Sequence, residues 1–190
     1  MSDKIMIVRH AEKPDPTSKP PLAGVDIDGN PDKESLIPRG WQRSGALACL
    51  FSSWGVAARP GLAVPATIYA AKVDKHGSKA GDSKSERPQE TVSAAAAMLG
   101  LTEDTGFKEG DETQVAAAAI AATGPVLIAW QHQDIPTIAN TILGNATSCP
   151  QTWPGDRFDM VWVFDLVNGA WAFSQVPQMV LAGDSSQPIN

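Results

Sequence analysis

Three short apolar runs in this sequence each break off into polar or charged residues and are each followed by a stretch of helical character. Ile5, Met6, Ile7 and Val8 lead into Arg9 and His10, residues 66–71 lead into a lysine-rich segment, and residues 126–130 lead into Gln131, His132, Gln133 and Asp134. Runs this short and this continuous suit strands buried on both faces, and strands alternating with helices make an α/β sheet. Ligands of such sheets bind beyond the carboxyl ends of the strands. The residues that end the runs are therefore site candidates on pattern alone.

The helical segments have recognisable limits. Leu47, Leu50, Phe51 and Trp54 recur at helical spacing, which predicts a helix over 41–55 that stops at Gly55. Pro88 fits a first helical turn, where its missing N–H has no intrahelical partner, and Arg87 then stands at the N-terminus of a helix running to Leu99. An Ala-rich helix is expected over 112–122, ended by Gly124 and Pro125, and another over 136–143 with Ile138 and Ile142 on one face. Residues 160–166 and 171–176 flank Val167-Asn168-Gly169, and Asn-Gly between apolar runs signals a hairpin. The expected architecture is an α/β single-domain three-layer sandwich, with a mostly parallel central sheet, an antiparallel edge hairpin and helices on both faces. The domain should span 1–182, with 183–190 a frayed tail. Residues 11–38 and 72–86 lack periodicity and read as long surface loops, the second a mobile lid that holds His76, a solvated loop histidine.

Composition removes several functions. A formal net charge of -6 argues against nucleic acid and anionic membrane as partners, so an anionic substrate needs a locally basic pocket. The apolar run at the N-terminus is too short for a secretory signal and nothing approaches a membrane span, which predicts a soluble cytoplasmic protein. Cys49 and Cys149 show no framework or CxxC spacing and read as ordinary thiols. There is no GxxxxGK[ST], HExxH or calcium-loop sequence, and no metal or cofactor is expected.

The strand-end residues suit phosphoryl transfer. A phosphomonoester gathers charge on its equatorial oxygens during transfer, so fixed cations and helix N-termini around it lower the barrier. A neutral imidazole, with one nitrogen held by a hydrogen bond, presents the other as a nucleophile. Arg9, His10, Arg87 and His132 are the candidates for such a site.

Residues 7–13, IVRHAEK, resemble the Arg-His-Gly signature of the histidine phosphatase superfamily, the phosphoglycerate mutase-like proteins, with Ala11 in place of the glycine. LIPRGWQRSGAL is similar to the stretch that opens the family's first helix. ATIYAA with SERPQET resembles the strand and Arg-x-x-x-Thr element of its second phosphate arginine, here Arg87 and Thr91, and VLIAWQHQDIP resembles the strand and turn of its second histidine. WPGDRFDMVWVFD fits the last strands of small bacterial members. The resemblance implies a metal-independent phosphomonoester hydrolase with His10 as nucleophile and Arg9, Arg87 and His132 binding phosphate.

The resemblance also leaves alternatives open. A gapless comparison puts Gln131 at the second histidine, whereas His132 is the only histidine after position 76, which favours a one-residue shift in the turn. The general acid lies among Asp134, Glu109, Asp111 and Glu112, with Asp134 better suited to a plain helix N-cap and the other three equally to a solvated helix start. Glu12 is expected to orient the Arg9-His10 turn or pair Lys13, and Arg39 and Arg43 to form helix-face salt bridges. The partner is a small phosphorylated substrate or a phosphohistidine protein, and the oligomeric state is open. A phosphate-ligand binding protein that has lost catalysis and a mutase-like phosphotransferase are the alternative functions.

Overall fold

The structure is a computed structural model and describes residues 1–52, 59–74 and 83–190. The proposed helix stop at Gly55, and with it Trp54, lies outside the described residues, as do His76 and the centre of the proposed lid. Five strands, β1 (Lys4–Arg9), β2 (Thr67–Ala70), β3 (Val126–Trp130), β4 (Met160–Val167) and β5 (Ala170–Pro177), form one sheet in the order β2-β3-β1-β4-β5. β2, β3 and β1 are parallel, whereas β4 runs antiparallel to both β1 and β5. The hairpin forms where Asn-Gly predicts it. Asn168 and Gly169 take φ of 52° and 82°, the two positive values a type I′ turn requires.

Side chains alternate across the sheet and so divide the core in two. Ile5, Ile7, Val126, Ile128 and Trp162 pack under α3 (Glu112–Ala121) and α4 (Ile135–Leu143). Met6, Val8, Leu127, Ala129 and Val163 face the opposite way, against α1 (Pro38–Phe51) and α2 (Arg87–Leu99). This is the three-layer arrangement expected of buried strands whose two faces are both covered. None of the described helices is long and apolar enough to cross a membrane.

Three expectations are corrected by this packing. Helix α1 starts at Pro38 rather than Trp41, because a proline at the first turn follows an extended Ile37. The segment 11–38 is not wholly a surface loop: Ala11, Ser35 and Leu36 are fully buried, and Trp41 Nε1 donates to Val25 O at 2.8 Å. The tail does not fray. Ile189 is 3% exposed and exchanges two hydrogen bonds with the Gln175 side chain, while the Asp184 carboxylate is buried against Arg43. Both thiols are free, Cys49 exposed and Cys149 buried.

Candidate active site

The β1–β3 register opposes Arg9 to Trp130, so the two strands release Arg9-His10 and Gln131-His132 side by side. His10 N–H donates to Trp130 O at 2.9 Å, which continues the ladder one residue past the strand. Ala11 N–H donates to Thr91 Oγ1 at 2.8 Å, and that hydroxyl donates to Arg87 O at 2.6 Å. Thr91 thus ties the His10 turn to the first turn of α2 and fixes where Arg87 enters. Gly40 serves the same turn from α1, since a Cβ there would stand 2.6 Å from Glu12 O.

The state of the His10 ring follows from its partner. Nδ1 lies 2.8 Å from Ala11 O, and a carbonyl can only accept, so Nδ1 carries the proton and the Nε2 lone pair is free. The ring is 5% exposed, and burial, with Arg9 nearby, pushes its pKa down to about 3. His132 faces it with ring centroids 6.4 Å apart at 78°, and burial together with Arg9 and Lys13 lowers its pKa to about 4. Both imidazoles are neutral at pH 7.

The cations are held by what surrounds them. Arg9 is fully buried, its Nη1 donates to Gly155 O at 2.7 Å and Arg157 O at 3.2 Å, and its guanidinium lies 3.9 Å over the Phe158 ring. Burial lowers its pKa to about 10, against the opposing pull of Asp156 and Glu12, which leaves it charged. Arg87 donates through Nη1 to Ser85 Oγ at 3.1 Å and lies 3.7 Å from Glu34. His10, His132, Gln131, Arg87, Lys13 and Glu109 all line one polar cavity of about 170 Å³.

Among the described residues, six buried side-chain polar atoms lack a hydrogen-bond partner, and five belong here: Arg9 Nε and Nη2, Arg87 Nε, Gln131 Nε2 and His132 Nδ1. Buried polar groups are ordinarily paired, and each exception needs an explanation. Four of these five are nitrogens of cations or amides that can only donate, so the set matches an anion with several oxygens. Among the described residues no group of three or more His, Cys, Asp or Glu side chains is gathered as metal ligands would be.

The four acid candidates separate. Glu112 is turned inward, accepting from Trp130 Nε1 at 3.1 Å, and Asp111 accepts from Lys108 N–H at 3.0 Å. Glu109 lines the cavity. Asp134 precedes α4 without making a side-chain cap, and burial with Glu112 and Glu109 nearby raises its pKa to about 6. Glu12 pairs Arg43 and Arg39 rather than Lys13, which lies in the cavity instead. Arg43 is not on a helix face in solvent but 2% exposed, since it lies between Glu12 and Asp184.

Sequence reasoning missed Phe158, Lys13 and the carbonyls of the 154–157 turn. Lys13 lies three residues past His10, beyond the strand, where the letters offer it only as a partner for Glu12. The carbonyls carry no side-chain signature. Phe158 stands in the WPGDRF stretch, whose only message was an approaching strand.

No protein-family sequence model matches the chain, and no curated protein matches it by sequence. Solved structures match over nearly its whole length. A phosphoserine phosphatase variant from Entamoeba histolytica, in complex with phosphoserine, is 11% identical with a TM-score of 0.57, over 95% of this chain and 100% of that one. A mycobacterial glucosyl-3-phosphoglycerate phosphatase is 12% identical with a TM-score of 0.53, over 92% and 97%. The protein histidine phosphatase SixA complexed with tungstate is 14% identical with a TM-score of 0.52, again over 92% and 97%. The chain has the histidine phosphatase fold.

Proposed function

We propose that the chain is a phosphomonoester hydrolase that works without a metal, through a phosphohistidine on His10. The observation that carries this reading is the neutral His10 ring, its Nδ1–H given to Ala11 O, at a cavity whose lining residues Arg87, Gln131 and His132 each keep a buried nitrogen without a protein partner. Nε2 attacks phosphorus, the N–P bond forms as the ester P–O bond breaks, and the leaving oxygen takes a proton. Water then attacks phosphorus, the N–P bond breaks, and inorganic phosphate leaves a neutral imidazole behind. Arg9, Arg87 and His132 hold the equatorial oxygens. Glu109, the one acid candidate among the cavity's lining residues, supplies the proton.

A cavity of about 170 Å³ favours a small phosphorylated molecule over a protein-borne phosphohistidine. Of the structural neighbours, one is in complex with phosphoserine and another with tungstate, both oxyanions, in keeping with an anionic substrate here. A cytoplasmic location goes with the free thiols.

The test is release of inorganic phosphate from an aryl phosphate in excess chelator. Turnover should survive the chelator and fall by more than about 10⁴-fold in His10→Ala, the scale at which loss of a nucleophile acts. Denatured wild type should retain an acid-labile phosphoryl group that His10→Ala lacks. A wild type that binds vanadate yet turns nothing over would identify a phosphate-binding protein instead.

A further inference from the structure

We propose that the C-terminal segment is part of the site's positioning apparatus, with Asp184 a positioning residue that acts on His10 through Arg43 and Glu12. This rests on the reading of His10 as the nucleophile. Glu12, two residues past His10, accepts from Arg43 Nη2 at 2.9 Å and from its Nε at 3.1 Å. The same guanidinium donates from Nη2 to Asp184 Oδ1 at 2.7 Å and from Nη1 to Asp184 Oδ2 at 3.2 Å. Asp184 in turn is fixed by the N–H groups of Val180 and Leu181, at 2.8 and 3.0 Å. Both carboxylates and the guanidinium are buried, the Asp184 side chain to 1% exposure.

A second arm of the same segment reaches Arg9, on the other side of His10. Asp159 Oδ2 accepts from Ser185 N–H at 2.6 Å, and its Oδ1 accepts from Arg157 Nε at 2.7 Å. Arg157 also donates to Gln187 O at 2.7 Å, and its own carbonyl accepts from Arg9 Nη1. The tail therefore grips the residues on both sides of His10, one by a forked ion pair and the other by the carbonyl turn that holds Arg9.

Energetics favours a geometric role over a stabilising one. Taking charges out of water costs as much as their mutual attraction returns, so a buried ion triad adds little to stability beyond what an apolar cluster would give. What it does provide is direction, because a planar fork accepts carboxylates only in its own plane. The plane of Arg43 sets where Glu12 sits, and Glu12 is two residues along the backbone from the ring that must meet phosphorus in line.

The experiment compares wild type, Asp184→Asn and, as a control on the exposed part of the tail, Ser186→Ala. Two readings are taken: kcat and KM for an aryl phosphate, and the ¹⁵N resonance of the His10 ring Nδ1–H. Asp184→Asn keeps the shape of the side chain and should lower kcat by about 100-fold, the loss expected of a misplacement near 1 Å, with a smaller change in KM. It should also move or broaden the His10 Nδ1–H signal, with Ser186→Ala like wild type in both. An unchanged kcat and an unmoved His10 resonance in folded Asp184→Asn would overturn the proposal. If Asp184→Asn does not fold, Arg157→Lys, which keeps the carbonyl but severs the Gln187 contact, is read the same way, with no effect again counting against it. If wild type has no turnover, the function fails first and the resonance alone decides, since it needs no substrate.

Discussion

Two buried polar clusters lie on either side of the Arg9-Glu12 turn, and they differ in one respect. In the Glu12-Arg43-Asp184 cluster every nitrogen of the guanidinium has an acceptor, and the carboxylates are met from several sides. In the cavity cluster Arg9, Arg87, Gln131 and His132 all keep buried atoms without partners. Both contain arginine in low dielectric, yet in the second the desolvation penalty is met only in part. The lesson is that composition does not separate scaffold from site in this molecule, whereas hydrogen-bond satisfaction does.

The comparison is broken most severely by Arg43→Met. It leaves Glu12 and Asp184 charged, buried and unpaired, so unfolding free energy should fall by roughly 3–5 kcal/mol in a denaturant titration. A loss under about 1 kcal/mol would mean that the cluster is wetter than its burial implies. Arg87→Met works in the opposite cluster, where Nε has no partner to lose and the remaining contacts, with Ser85 Oγ, Lys33 O and Glu34, are single and peripheral beside the Arg43 fork. Stability should change little while kcat/KM falls by about 10²–10³-fold, as when one donor to a developing anion is removed.

Acid sharpens the same contrast. His10 and His132 have pKa values near 3 and 4 in the folded chain, lowered first by burial, against 6.5 unfolded. Below pH 6.5 the unfolded chain takes up protons that the folded chain refuses. Stability therefore holds above about pH 6.5 and declines as pH falls toward 4, by up to about 1.4 kcal/mol per pH unit for each histidine. Asp184, whose burial is outweighed by hydrogen bonds from Arg43, Leu181 and Val180, has its pKa lowered, so its share is present at neutral pH and lost only below about 3.8. Urea midpoints measured from pH 7 to 4, in wild type and His132→Gln, should show the slope shrink in the variant. An identical slope would sink the assignment of His132 as a neutral, half-buried ring.

Much of this was legible because it is local. The β3 run and the Asn168-Gly169 turn are where periodicity and turn chemistry put them, and His10 and Arg87 line one cavity because each sits at the end of an element whose direction the pattern sets. The letters favour His132 over Gln131 only because no other histidine follows position 76. Both line the cavity, but it is the His132 ring that faces His10, a matter of side-chain direction after the strand ends. The tail was misread because its contacts are distant in sequence: Asp184 meets Arg43 across 141 positions, and nothing in SSQPIN announces that Ile189 belongs to the core.

One carbonyl has a further use. Arg157 O accepts from Arg9 Nη1 and also from Trp153 Nε1, at 2.8 Å, and Trp153 in turn lies 5.0 Å from Trp162. An anion that drew the Arg9 guanidinium toward itself would relax its hold on that shared oxygen and change the field at a buried indole. A titration with vanadate should then be readable in tryptophan emission without any label.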